Sequence, residues 1–129
     1  MSKIILHLDD EESIRHIVAE VLTSKGYRVL SARSPGEAVA AARAELLDLI
    51  ISDLQLDEAD GLKTVAQLLE IRPGTPVILL TGVLIDPRVA RETVGKLVSA
   101  YLEKTKPLSA FLAEVTRLIG PGEPDKKAD

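Results

Sequence analysis

Two adjacent aspartates, Asp9 and Asp10, follow the first apolar run of the chain, Ile4–Leu8. Asp53 stands just past a second, Leu46–Ile51, Thr81 just past Val77–Leu80, and Lys104 just past Ala100–Leu102. Carboxylates, a hydroxyl and an ammonium at such places make a set suited to phosphate and a hard divalent cation. Neighbouring carboxylates repel and raise one another's pKa. A cation such as Mg2+, which prefers oxygen ligands in octahedral geometry, relieves that repulsion. A carboxylate can also attack a phosphoryl group and become an acyl phosphate. Such transfer depends on positioning and charge neutralisation more than on covalent help. In that chemistry Lys104 supplies a mobile positive charge and Thr81 a donor to phosphoryl oxygens.

These groups need elements that bring them to one place. The short runs Ile4–Leu8, Tyr27–Leu30, Leu46–Ile51, Val77–Leu80 and Ala100–Leu102 read as buried parallel strands. Between them lie apolar stripes of helical period. Ile14, Ile17, Val18, Val21 and Leu22 form the first, Leu62, Val65, Ala66 and Leu69 another. Val89, Ala90, Val94 and Leu97 form a weaker one, and Leu108, Phe111, Leu112, Val115 and Ile119 the last. Residues 37–45 are alanine-rich and helix-prone. Ser34-Pro35-Gly36-Glu37 has the pattern of a capping box with proline at the first helical position. Asp86-Pro87 is a second cap-then-proline start, and Gly26 a left-handed helix stop. The alternation predicts an α/β fold: a doubly wound five-stranded parallel sheet flanked by five helices. In such a sheet ligands bind outside the carboxyl ends of the strands, where the reactive groups fall. Residues 1–119 are expected to form one domain. Residues 120–129, rich in Gly, Pro and charge, are expected to form a flexible tail or a truncated linker.

Composition narrows the function. The 129 residues are 46% hydrophobic and 28% charged, enough for one packed core. A net charge of −4 argues against a protein that grips nucleic acid phosphates. The absence of cysteine excludes a disulfide framework, a thiolate zinc site and a Cys nucleophile. Tyr27, Tyr101 and Phe111 are the only aromatics, too few for a base-stacking platform. No run is long enough for a secretory signal or a membrane span, so a soluble cytoplasmic protein is expected.

Five blocks, in order and at characteristic spacing, resemble the receiver domain of bacterial two-component response regulators. They are Ile5-Leu6-His7-Leu8-Asp9-Asp10-Glu11, Asp48-Leu49-Ile50-Ile51-Ser52-Asp53-Leu54, Asp60-Gly61-Leu62, Pro76-Val77-Ile78-Leu79-Leu80-Thr81-Gly82 and Tyr101-Leu102-Glu103-Lys104. The likeness covers residues 3–119. It implies a flavodoxin-like fold with strand order 2-1-3-4-5. It implies that Asp53 is the phosphoacceptor, that Asp9, Asp10, Asp53 and the backbone carbonyl of Gln55 hold Mg2+, and that Thr81 and Lys104 bind the phosphoryl oxygens. Tyr101 takes the place of the aromatic whose rotamer follows phosphorylation. The implied partners are a sensor histidine kinase or phosphotransfer protein and a downstream protein target, with a homodimer possible and no direct contact with nucleic acid or membrane. The implied role is signalling, not enzymatic turnover.

The chain departs from the family pattern at several places. Asp57 replaces a usual proline, Gly82 a usual alanine and His7 an aliphatic residue, and Thr105 follows Lys104 where proline is usual. A Lys106-Pro107 pair two residues on makes Lys106 the alternative phosphoryl ligand. The Lys104–Thr105 peptide is expected to be trans. Two other functions stay open: a degenerate receiver that binds partners without phosphorylation, and a Mg2+-dependent phosphatase with an aspartyl nucleophile. Glu11 and Glu12 read as acids favoured by a helix N-terminus. His7 reads as a satisfied core histidine. His16, Lys63, Arg72 and Arg88 read as solvated charges.

Overall fold

The computed structural model describes residues 2–56, 59–82, 88 and 97–123. The elements in chain order are β1 (Ile4–Leu8), α1 (Glu12–Ser24), β2 (Arg28–Ala32), α2 (Pro35–Ala44), β3 (Leu49–Asp53), β4 (Gln55–Leu56), β5 (Ala59–Asp60), α3 (Gly61–Ile71), β6 (Val77–Thr81), β7 (Ala100–Glu103) and α4 (Leu108–Ile119). The main sheet runs β2-β1-β3-β6-β7, and every pairing in it is parallel. Counting its five strands alone, this is the order 2-1-3-4-5. Among the described residues there are four helices, not the five expected. The Asp86-Pro87 start and most of the stripe from Val89 to Leu97 lie outside the described residues. A short antiparallel pair, β4 with β5, was not predicted. Two residues per strand are too few to show a period in sequence.

The alternation of side chains along each strand sorts the core into two layers. Ile5, Leu49, Ile51, Ile78 and Leu80 pack with Val18 and Leu22 of α1 and with Phe111 and Val115 of α4. Leu6, Leu8, Ile50, Val77 and Leu79 pack with Ala38 and Ala42 of α2 and with Val65 and Leu68 of α3. Both sheet faces are therefore covered, which is why β3 and β6 are buried along their whole length.

Local chemistry sets the boundaries. The Ser34 hydroxyl accepts from Glu37 N at 3.3 Å. The returning half of the box is displaced by one residue, with Arg33 N donating to Glu37 Oε1 at 2.9 Å. Gly26, at φ +90°, turns the chain from α1 into β2. The third strand starts later than its apolar run. Leu46 is 73% exposed, and the Asp48 carboxylate, accepting from Ile4 N at 2.7 Å, pins the entry to β3. Arg72 is not a free surface charge: its Nε donates to the Ala42 and Glu45 carbonyls at 2.7 and 3.1 Å, satisfying acceptors at the end of α2.

The start of the expected tail lies against the domain. Tyr27 donates its hydroxyl to the Gly120 carbonyl at 2.6 Å, Lys3 Nζ donates to Pro121 O at 3.0 Å, and Glu123 N donates to Gly26 O at 3.3 Å.

Candidate functional site

Register decides which strand ends meet. Leu8 lies opposite Ser52, Asp53 opposite Leu80, and Thr81 opposite Glu103. Asp9, Asp53 and Lys104 therefore fall on the α1/α4 side of the carboxyl edge, in step with Ile5, Ile51 and Leu102. Thr81 falls in the alternate set, on the α2/α3 side. Tyr101, paired with Leu79, is half-buried against that same layer.

Asp9 is fully buried and Asp53 is 5% exposed. Between them sits the Lys104 ammonium, its Nζ 2.9 Å from Asp9 Oδ2, 3.0 Å from Asp53 Oδ2 and 3.2 Å from Glu11 Oε1. Burial disfavours a charged lysine, but the carboxylates of Asp9 and Asp53 against its ammonium outweigh that and raise the Lys104 pKa above the usual lysine range. Lys106 is exposed and lines a neighbouring groove with Ile17 and Phe111. The Lys104 amide donates to Thr81 O, which ties the end of β7 to the end of β6. The Lys104–Thr105 peptide is trans.

Main-chain contacts hold the acids. Asp9 Oδ1 accepts from Glu11 N at 2.9 Å, and Arg15 Nη1 donates to the Asp9 carbonyl at 2.8 Å. The buried Ser52 hydroxyl donates to the Asp53 carbonyl at 3.0 Å. Gln55 opens β4 two residues after Asp53. Gly61 matters through what it lacks. A Cβ there would collide with the main-chain carbonyls of Asp53 and Leu54, so glycine lets the start of α3 close over the end of β3. Its signal in the sequence was the Asp60-Gly61 pair. Glu11 and Arg15 carried no such signal, since their partners are set by tertiary placement. Asp57 lies outside the described residues.

The acids suit a hard cation. Carboxylate oxygens of Asp9, Asp10, Glu11 and Asp53 lie within 4.8 Å of one another. Buried Asp9 Oδ2 has the Lys104 ion pair but no aligned hydrogen-bond donor. Four carboxylates against one ammonium leave negative charge that a divalent ion would offset.

His7 differs from expectation. It is fully buried on β1, yet neither ring nitrogen has a hydrogen-bond partner. Burial, and then the positive charges of Lys104 and Arg15, push its pKa down to about 4. His16 is exposed, 3.6 Å from Glu20. Among the described residues no helix is long and apolar enough to cross a membrane.

The response regulator receiver domain profile matches residues 5–116. The transcriptional regulatory protein GlrR of Escherichia coli is 40% identical over 78 residues, 60% of this chain and 18% of that protein. The chain thus corresponds to a small part of the curated relative's length. The chemotaxis protein CheY4 of Vibrio cholerae shares the fold at a TM-score of 0.84 and 28% identity, over 92% of this chain and 99% of the other. A Burkholderia pseudomallei response regulator, whose structure holds a phosphorylated aspartic acid and a calcium ion, aligns at a TM-score of 0.77 and 32% identity. That alignment covers 86% of this chain and 65% of the other. With its parallel sheet in the order expected and its acids gathered at the carboxyl edge, this chain belongs to the receiver domains of two-component response regulators, a family of phosphorelay signalling.

Proposed function

We propose that this chain accepts a phosphoryl group on Asp53 from the phosphohistidine of a sensor histidine kinase or phosphotransfer protein, and that the modified site switches a protein–protein interface. The observation that carries the reading is the Asp53 carboxylate at a strand end, 5% exposed and 3.0 Å from the Lys104 ammonium. An Asp53 oxygen attacks phosphorus, the P–N bond to the donor imidazole breaks, and the imidazole leaves with its electron pair and takes a proton from solvent. Mg2+, held by Asp9, Asp10, Asp53 and the Gln55 carbonyl, would neutralise charge on the transferred group. Lys104 is positioned to follow the charge from the Asp53 carboxylate to a phosphoryl oxygen. Thr81 offers its hydroxyl from the neighbouring strand end.

Phosphorylation adds close to two negative charges at Asp53. Lys104 and Thr81 would be drawn toward them. Because Tyr101 and Thr81 share a sheet face, movement of Thr81 would open room for the Tyr101 ring and bias the surface made by β7, α4 and the helix expected just before β7. The output is a changed contact with a protein target or a second copy of the chain. The net charge of −4 speaks against nucleic acid binding by these residues themselves. GlrR is named a transcriptional regulatory protein, so the expectation of no nucleic acid partner does not extend to a longer protein carrying this domain.

Intact mass after incubation with acetyl phosphate and Mg2+ tests the proposal. One added phosphoryl group, lost in Asp53→Ala and without metal, is the expected result. A folded protein that gains nothing from acetyl phosphate or from a phosphorylated kinase domain, or that gains the group equally in Asp53→Ala, would sink it.

A further inference from the structure

Glu11 occupies the N-cap of α1, a position where a shorter Ser, Thr, Asp or Asn side chain ordinarily accepts from first-turn amides. It makes no such bond. Its carboxylate reaches across the site, and Oε1 accepts from Lys104 Nζ at 3.2 Å, a contact spanning 93 residues of sequence. The ammonium has three N–H donors, and three carboxylates stand around it: Asp9 at 2.9 Å, Asp53 at 3.0 Å and Glu11. The first two are buried. The Glu11 side chain is 58% exposed and stands on the solvent side.

We infer that Glu11 is a positioning residue for Lys104, the outer counter-ion to which the ammonium withdraws when a divalent cation takes the carboxylates of Asp9 and Asp53. This rests on the reading of the site as a metal-dependent phosphoacceptor. Lys104 already occupies the oxygens that such a cation needs, and two cations on the same oxygens repel at short range. The ammonium must leave Asp9 while staying close enough to meet a phosphoryl oxygen at Asp53. Glu11 meets both needs, because it already touches Nζ and the flexible four-carbon lysine stem can pivot about that contact. A role limited to the helix dipole would make Glu11 indifferent to Lys104.

Mg2+ titration by calorimetry on four proteins tests this: the unaltered chain, Glu11→Gln, Lys104→Met and the double variant, each with its fold checked by circular dichroism. Glu11→Gln is expected to weaken Mg2+ binding about fivefold in the unaltered background. Lys104→Met, which removes the competing cation, is expected to tighten it. In the Lys104→Met background, Glu11→Gln is expected to change affinity less than about twofold, because its effect runs through the missing ammonium. Equal losses in both backgrounds would overturn the inference and make Glu11 a direct charge or ligand for the metal. No loss in either background would reduce it to a helix-terminal acid. Absence of Mg2+ binding by the unaltered chain would overturn the metal-dependent reading itself, and this inference with it. Should Lys104→Met not fold, the 15N signal of the Lys104 ammonium gives a second readout. On adding Mg2+, that signal should stay protected from solvent exchange in the unaltered chain and lose protection in Glu11→Gln; equal protection in both would overturn the inference.

Discussion

His7 is the residue whose environment most exceeds what its sequence position conveys. A histidine inside an aliphatic strand reads as buried, but its lack of any hydrogen-bond partner depends on what packs over it. Its pKa is about 4 in the fold against 6.5 when free. Above pH 6.5 the ring is neutral in both states and contributes no pH dependence. Below 6.5 the unfolded chain takes up a proton that the folded chain refuses, so stability falls as pH drops toward 4. The interval corresponds to about 3 kcal/mol. Urea unfolding in metal-free buffer should show this loss between pH 7 and pH 4, and His7→Leu should reduce it. His7→Leu should also be more stable than the unaltered chain at pH 7, by about 1–3 kcal/mol, since it removes two unsatisfied polar atoms. Matching pH profiles for the two proteins would contradict the burial assigned here. Lys104 has the opposite sign: its pKa is raised in the fold, so its contribution is complete below the free lysine value and fades only as pH rises through the folded one. Asp9, Asp53 and Lys104 were legible as a set because each follows a short aliphatic run. Glu11 was not, because its meaning lies in a contact 93 residues away.

At the level of elements, the turn from β3 into α3 carries the tightest constraint near the site. Gly61 is buried, and its amide donates to Leu54 O at 3.0 Å while the Asp53 and Leu54 carbonyls crowd its missing side chain. Gly61→Ala should destabilise the fold by about 1–3 kcal/mol through forced backbone displacement. Because the displaced carbonyl belongs to Asp53, the same variant should also accept phosphate from acetyl phosphate more slowly under conditions where it remains folded. Normal acceptance with lowered stability would separate the turn from the chemistry. The Asp60-Gly61 pair marked a turn in the sequence, and the β4–β5 pair beside it did not show. The cap at Ser34 was legible in type, and its reciprocal bond shifted to Arg33 only once the chain entering α2 took its own direction.

Across the whole molecule, the two ends of the sheet do different work. The carboxyl edge gathers the charged site, while the opposite side holds residues 120–123 through Tyr27, Lys3 and Gly26. Removing residues 120–129 should cost about 1–3 kcal/mol, because it takes away the Gly120 carbonyl to which the Tyr27 hydroxyl donates and the contacts of Pro121 and Glu123 with Lys3 and Gly26. Tyr27→Phe should cost less, since it removes the hydroxyl together with its need for a partner. Thermal unfolding of the three proteins reads this directly, and a truncated chain that melts with the intact one would show that the segment adds nothing to the fold. Mg2+ at a hundred times its dissociation constant should stabilise the chain by about 2.7 kcal/mol. The gain should vanish in Asp9→Asn, and an equal gain in that variant would place the ion elsewhere.

Local spacing in the chain determined the succession of elements and the places of the reactive groups. A strand's period of two and a helix's period of 3.6 are written within a few residues. Strand ends mark the carboxyl edge of any parallel sheet, so Asp9, Asp53, Thr81 and Lys104 could be assigned to one side of the molecule before any contact was known. The order β2-β1-β3-β6-β7 was reached through family resemblance, because pairing between distant strands leaves no local trace. Only the tertiary structure decided that Lys104 stands among Asp9, Glu11 and Asp53, that His7 is sealed without a partner, that Arg72 serves the end of α2 and that Gly61 lies under the Asp53 carbonyl. Each of these depends on where two segments far apart in sequence come to rest, and that follows from the joint packing of both sheet faces.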